Sequence, residues 1–261
     1  MTPNEKWLLE EKYSGKETEE YEENRRRLAK GEPLAYVIGW QPLLGLKIYL
    51  DSRPLIPRPE TEWWVEEMFR ATSEWSGRPK GGDPRTFARG AEHLQFLDLC
   101  AGSGAIGCAA LANLPNARVY FGELNPAHEA TILKNIRVNN LDESRAHVRV
   151  GDLLEPFGDM KFDVIVANPP YVPTGRTLPA SVTNYEPSLA LMAGADGLDV
   201  IRRIAAELPR HLIADGTAWI ECDSAHAKAA QKLFEAQGLD VKIHNDQYNR
   251  PRFFVIKSHH V

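Results

Sequence analysis

The sequence predicts an α/β fold organised around one mostly parallel β-sheet. Three observations carry this. From residue 93 onward, short apolar, β-prone runs alternate with helical patterns, which is the signature of strand–helix–strand units. The connections between most of these strands are long enough for helical crossovers, and those are right-handed in parallel sheets. The first strand then runs directly into a small-residue loop, Asp98-Leu99-Cys100-Ala101-Gly102-Ser103-Gly104. It sits where open sheets of this class bind their ligands, at the carboxyl ends of the strands.

The bulk numbers agree. A chain of 261 residues, 43% hydrophobic, holds one sizeable α/β domain plus a smaller element. The net charge of -5 opposes a protein that lives on nucleic-acid phosphates. No run approaches the ~18 apolar residues of a membrane span. The opening MTPNEKWLLEEKYSGKETEEYEENRRR is acidic and lacks the apolar core of a signal peptide. Cys100, Cys108 and Cys222 form no CxxC pair. A cytoplasmic protein without disulfides, without a metal and without a membrane partner is expected.

Along the chain, the first thirty or so residues read as helical, with Arg25-Arg26-Arg27 as a solvated helix end where cations suit the dipole. GEPLAYVIGWQPLLGLKIYLDSRPLIP mixes Gly/Pro punctuation with short β-prone runs and predicts a small hairpin. ETEWWVEEMFRA turns helical from Thr61, expected as the N-cap, with acids in the first turn. Residues 73–93, rich in Gly, Pro, Arg and Lys, read as a linker or long loop. Strands follow over HLQFLDL, ARVYFGEL, HVRVGDL, FDVIVAN and GTAWIEC, with helices between most of them. LDVKIHN and RFFVIK close the chain as an antiparallel pair. The division expected is residues 1–55 as an N-terminal helical segment and β-hairpin and 56–261 as the main α/β domain.

Four strand ends carry polar groups: the Asp98–Gly104 loop, Glu123, Asp152, and Asn168-Pro169-Pro170-Tyr171. They are expected to converge on one pocket. Gly102-x-Gly104-x-x-Gly107 matches a dinucleotide fingerprint, and Glu123 follows at the spacing of a ribose-binding acid. That pattern alone suits either a nicotinamide dinucleotide or S-adenosylmethionine. A carboxylate at Asp98 is awkward beside a pyrophosphate and welcome near an ammonium and a sulfonium. Asp152 fits hydrogen bonding to an adenine amino group. The plainer readings are that Asp98 caps a helix and that Asp152 sits in a Gly-Asp turn.

VIVANPPYVP poses its own question, because two consecutive prolines remove two backbone donors and benefit neither helix nor ladder. They do restrain Asn168. The Asn168 side-chain oxygen and the Pro169 carbonyl are two acceptors able to hold both protons of a conjugated NH2 group. Tyr171 offers a face for a planar group. Such anchoring concentrates electron density on a poor nitrogen nucleophile and aims it at an electrophilic methyl. No general base is needed before transfer, since the proton can leave afterwards.

With these residues in view, the sequence resembles the release-factor glutamine N5-methyltransferases, the HemK family. The resemblance rests on GEPLAYVIG (31–39), LIPRPETE (55–62), DLCAGSGAIG (98–107), GDLLEPF (151–157), VANPPYVP (166–173) and NYEPSLALMAGADGLDVIRRI (184–204). It implies a Rossmann-like class I S-adenosylmethionine-dependent methyltransferase with a short N-terminal helical segment and a small β-hairpin. The substrate implied is the glutamine amide of the Gly-Gly-Gln motif in class 1 peptide chain release factors. By position, the cofactor loop is Cys100, Ala101, Gly102, Ser103 and Gly104, with Asp98 at its mouth. The ribose acid is Glu123, the loop after the third strand is Asp152-Leu153, and Asn168, Pro169, Pro170 and Tyr171 form the catalytic and substrate site. Asn168 also borders the cofactor.

Three departures stand out against the family pattern. Cys100 replaces a loop glycine, Leu153 replaces a residue that is often aromatic, and the N-terminal helical region is short. LIPRPETE is expected to wall the pocket as well as lead into the Thr61 helix, with Arg58 and Glu60 exposed. A monomer that does not bind nucleic acid directly is expected. Competing readings are a nucleic-acid amino-methyltransferase using the same Asn-Pro-Pro-Tyr chemistry, a nicotinamide oxidoreductase, and a silent S-adenosylmethionine-binding interaction module.

Overall fold

The computed structural model describes residues 1–75 and 94–258. It opens with two short helices. Thr2 starts α1 (Pro3–Tyr13) with a reciprocal capping box to Glu5, which satisfies orphan N–H groups of the first turn. The chain breaks at Ser14 and Gly15, both in the left-handed region. Thr18 then caps α2 (Glu19–Ala29), whose first turn holds three acids. The expected solvated arginine end is partly paired, since Arg25 bonds Glu22 and Arg27 forms a fork with Glu32. With α3 (Leu34–Ile38), these helices bury Leu8, Leu9, Tyr21, Val37 and Ile38 in a small core of their own.

β1 (Trp40–Leu43) and β2 (Leu46–Tyr49) form the hairpin. Leu44 and Gly45 both take positive φ, as the two-residue turn matching strand twist requires. This hairpin belongs to the main body, because Leu43 and Ile48 share one core with residues of the central sheet. Asn135 clamps it by accepting from the Tyr49 N–H and donating to the Tyr49 carbonyl.

α4 spans Pro59–Trp75. Thr61 is therefore the third residue of this helix and not its N-cap. A proline whose φ is preset for the first helical turn begins the element, and Glu60 and Glu62 supply the expected acids. The linker expected from residue 73 is helix up to residue 75, and its remainder lies outside the described residues.

The large sheet has seven strands: β3 (Leu94–Leu99), β4 (Ala117–Glu123), β5 (Ala146–Val150), β6 (Phe162–Ala167), β7 (Leu212–Glu221), β8 (Asp240–Asn245) and β9 (Pro251–Lys257). Their order is β5-β4-β3-β6-β7-β9-β8. All pairs are parallel except those of β9, which runs antiparallel to both neighbours. The helices between are α5 (Ala105–Asn113), α6 (Glu129–Val138), α7 (Ala180–Thr183), α8 (Asp199–His211) and α9 (Ala227–Glu235). Successive residues of β3 and β6 enter opposite cores. Phe96, Val164 and Val166 face α4 and α5, while Leu97, Leu99 and Ile165 face α8 and α9. Burial on both faces explains why these strands are mostly apolar and do not alternate apolar with polar. The sheet reverses direction of growth between β3 and β6, so the crevice for a ligand opens above those two strands.

One glycine is required by packing. A Cβ at Gly107 in α5 would stand 2.1 Å from Cε1 of the buried Phe121 ring. Gly107→Ala is expected to lower stability by about 1–3 kcal/mol through overpacking. Urea denaturation, read as a shift in midpoint at constant m value, checks this.

Candidate functional site

The carboxyl ends of the parallel strands meet at one cavity. Cys100, Gly102, Glu123, Asp152, Leu153, Asn168 and Pro170 all line it. The β3–α5 loop supplies its tightest wall. Cys100, Gly102 and Gly104 hold φ values of 61°, 56° and 74°, so three residues of a five-residue loop are left-handed. Glycine takes this conformation freely and cysteine does not, which places local backbone strain at Cys100.

Glu123, at the end of β4, is held by the loop it faces. One oxygen accepts the Gly102 N–H at 2.7 Å and the other accepts the Asn125 N–H at 2.8 Å. Each carboxylate oxygen keeps a second lone pair for a ligand hydroxyl. Asp152 also lines the cavity and pairs with Arg203 at 2.7 Å. The next residue, Leu153, is buried at a positive φ of 48°.

Several expected site residues lie behind the wall. Asp98 is only 1% exposed and does not line the cavity. Its carboxylate accepts the Gly107 N–H at 2.8 Å, so it secures the start of α5 from beneath. Burial first, and then the charge of Glu123, push its pKa well above the ordinary carboxylate range. The position facing a sulfonium expected of Asp98 is therefore corrected to a structural one. Ala101, Ser103 and Gly104 shape the loop without lining the cavity. Ser103 is buried, with its carbonyl accepting from Asn135.

Other lining residues escaped the sequence reading: Leu124, Asn125, His128, Leu189, Met192 and Arg203. Leu124 and Asn125 directly follow Glu123, so proximity to that candidate residue was a usable signal. His128 bonds Ser52 through Nδ1 at 2.8 Å. Burial lowers its pKa from the ordinary histidine value, which suits a neutral wall group. The Pro187–Met192 stretch lies within the 184–204 segment of the family resemblance, which assigned it no role in the cavity. It is carried over the cavity by backbone bonds between Val172 and the Leu191–Ala193 segment.

LIPRPETE reaches the cavity through Leu55. Its expected exposed arginine is half-buried. Arg58 donates to Glu186 at 2.5 Å, and the same carboxylate accepts the Ile56 N–H. This clasp ties two segments that are 128 residues apart. Glu60 is also only partly exposed.

At the end of β6, Asn168 Nδ2 donates to the Thr61 hydroxyl at 3.2 Å. Among the described residues, neither Asn168 Oδ1 nor the Pro169 carbonyl accepts a hydrogen bond. Pro169 itself is buried, and the Tyr171 hydroxyl donates to Glu221 at 2.9 Å. The tip thus presents two acceptors on a backbone fixed by two prolines, beside the cavity that Glu123 borders. Two acceptors so placed can take both protons of an NH2 group.

Residues 86–184 match the Methyltransferase small domain family. The chain is 32% identical over 254 residues to the release factor glutamine methyltransferase of Lactococcus lactis, covering 96% of this chain and 86% of that one. It is 35% identical over 215 residues to the release factor glutamine methyltransferase of Geobacter sulfurreducens, covering 82% of this chain and 68% of that one. Among solved structures, a methyltransferase from Pyrococcus furiosus superposes with a TM-score of 0.55, covering 90% of this chain and 97% of that one. At 18% identity, that likeness speaks to the fold alone.

Proposed function

This chain belongs to the release factor glutamine methyltransferase family, and from that premise we propose that it methylates the glutamine side-chain amide in the Gly-Gly-Gln motif of a class 1 release factor, using S-adenosylmethionine. The observation that carries the chemistry is the pair of uncommitted acceptors at Asn168 and Pro169, standing beside a cavity bordered by Glu123.

The cavity fits the cofactor. The free lone pairs of Glu123 suit a ribose diol, and the left-handed loop at Cys100 and Gly102 lets backbone approach closely. Leu124, Leu153 and Asp152 suit an adenine ring with its amino group. Bound there, S-adenosylmethionine supplies an electrophilic methyl group.

The protein's own task is to make an amide nitrogen reactive. Its lone pair is delocalised into the carbonyl, so the nitrogen is a poor nucleophile. Asn168 Oδ1 and the Pro169 carbonyl each accept one N–H of the glutamine amide, and this fixes the plane of the NH2 group. Two acceptors also favour positive charge developing on nitrogen, an electrostatic gain concentrated in the transition state. Alignment of this kind is worth up to ~7–11 kcal/mol of barrier. The proton is lost after transfer, which is consistent with a tip that carries no histidine or lysine.

Residues 1–55 are assigned to docking the release factor and 56–261 to methyl transfer. Helices α1–α3, with their separate small core, are the natural docking element within the first part. Among the described residues no helix is long and apolar enough to cross a membrane. We read the enzyme as a cytoplasmic monomer that acts on protein and not on nucleic acid; a release factor substrate supports the cytoplasmic location.

The test is methyl transfer from labelled S-adenosylmethionine to a whole class 1 release factor, beside its Gly-Gly-Gln Gln→Ala variant and to RNA and DNA. Label confined to the unaltered release factor is expected. Equal label on the variant, or label on nucleic acid, overturns the reading.

A further inference from the structure

Glu221 ends β7 and is the fifth polar strand tip. It is 1% exposed, does not line the cavity, and has no part in the chemistry described above. Three donors converge on it. Its Oε2 accepts from the Thr61 hydroxyl at 2.7 Å and from the Trp64 indole N–H at 2.8 Å. Its Oε1 accepts from the Tyr171 hydroxyl at 2.9 Å. Arg252 stands 4.0 Å away.

These bonds settle a question that heavy-atom positions leave open, namely which end of the Asn168 amide faces the substrate. The indole N–H can only donate, so Oε2 is an acceptor. Burial raises the Glu221 pKa, while its three donors and Arg252 favour the carboxylate. With Glu221 ionised, the Thr61 hydroxyl, 2.7 Å from that same Oε2, commits its proton to it. What Thr61 presents to Asn168 is therefore a lone pair, and only the NH2 end of the amide satisfies it. Oδ1 is then turned the other way, as an acceptor.

We propose that Glu221, acting through the Thr61 hydroxyl, sets the orientation of the Asn168 amide, and that Thr61 and Glu221 are positioning residues for methyl transfer to glutamine. The inference rests on the function proposed above. The relay also has a polarity. Each bond in the chain from Asn168 N–H through Thr61 O–H to a carboxylate polarises the next. The result is a more electron-rich Asn168 Oδ1, facing a nitrogen that acquires positive charge. The second oxygen of Glu221 holds Tyr171 in the same motif. His226 Nε2 fixes the Tyr171 backbone carbonyl at 3.1 Å, so both ends of the Asn-Pro-Pro-Tyr segment are tied to residues around β7.

Glu221→Leu would strand three buried donors and is expected to fold poorly, so the decisive variant is Thr61→Val. It keeps the shape and removes the relay, leaving neither amide orientation preferred. Thr61→Ser is the rescue, since it restores the hydroxyl. With a whole release factor, kcat of Thr61→Val is expected to fall on the order of tenfold or more, as misalignment predicts. The Kd for S-adenosylmethionine should stay within about twofold, the expectation for a group that acts only on alignment, and Thr61→Ser should recover turnover. The independent readout needs no substrate. In protein labelled with 15N-asparagine, the Asn168 side-chain NH2 signals should exchange slowly in the wild type and in Thr61→Ser, and faster in Thr61→Val.

Unchanged turnover in Thr61→Val, unchanged NH2 exchange, or a loss that serine does not restore would each overturn the proposal. A wild-type enzyme that leaves the release factor unlabelled would instead defeat the function assigned above, while the exchange measurement still reports on the Thr61–Asn168 bond.

Discussion

Asn168→Ala is expected to lower kcat on a whole release factor by at least about 10²-fold, with the fold intact. The substitution removes the Asn168 side-chain acceptor at the end of β6 and leaves the Pro169 carbonyl alone to hold an NH2 group that must be fixed in its plane. One retained bond still permits rotation about it, so both attraction and alignment are lost. Thr61 keeps its bond to Glu221, so the local packing has little reason to collapse. The affinity for S-adenosylmethionine should change far less, because the groups suited to ribose and adenine come from β4 and β5. Single-turnover kinetics with a release factor, alongside calorimetric titration of the cofactor, separate the two quantities. Near-normal turnover in this variant would reduce Asn168-Pro169-Pro170-Tyr171 to a proline-rich turn.

Glu123→Ala is expected to weaken S-adenosylmethionine by about 1.5–3 kcal/mol, the worth of hydrogen bonds to a charged group, or roughly 10- to 100-fold in Kd. The structure adds a second reason for a large effect. Glu123 also anchors the N–H groups of Gly102 and Asn125, so its removal loosens the cofactor loop while it deletes the acceptor of the ribose hydroxyls. The loss should fall on binding more than on the methyl-transfer step, and saturating cofactor should recover most of kcat. Titration calorimetry showing an unchanged Kd would remove Glu123 from the cofactor site. A substantial drop in melting temperature without cofactor would point to loop collapse as the larger part of the effect.

Much of the fold was legible because its signals are local. Apolar runs buried on both faces, helical periodicity and a glycine-rich turn each declare themselves within about ten residues. The parallel order followed from crossover length, and the closing antiparallel pair from a connection too short for a helix. The same strand-tip argument picked out Cys100, Glu123, Asp152 and Asn168, which do line one cavity. It could have been extended to Glu221, since GTAWIEC was already recognised as a strand and carries an acid next to its end. The Thr61 reading failed for a definable reason. Threonine before an apolar run is a good cap signal, but Pro59 begins the helix two residues earlier and frees the hydroxyl for another use.

By itself, the sequence determined the α/β class, the strands whose ends border the cavity, and the proline-fixed Asn168-Pro169-Pro170-Tyr171 tip. These follow from backbone restrictions and from the period of apolar residues, both properties of neighbours in the chain. Tertiary structure alone decided which side chains complete the site. Asp98 and Glu123 are both acids at strand ends, yet one lies under α5 and the other faces the cavity, because pleat and loop direct their side chains differently. Arg58 meets Glu186, and Thr61 meets Glu221, across separations of 128 and 160 residues. Such meetings depend on how α4 packs across the ends of β6 and β7. No local pattern encodes that packing, because it is set by the mutual fit of the two cores on either face of the sheet.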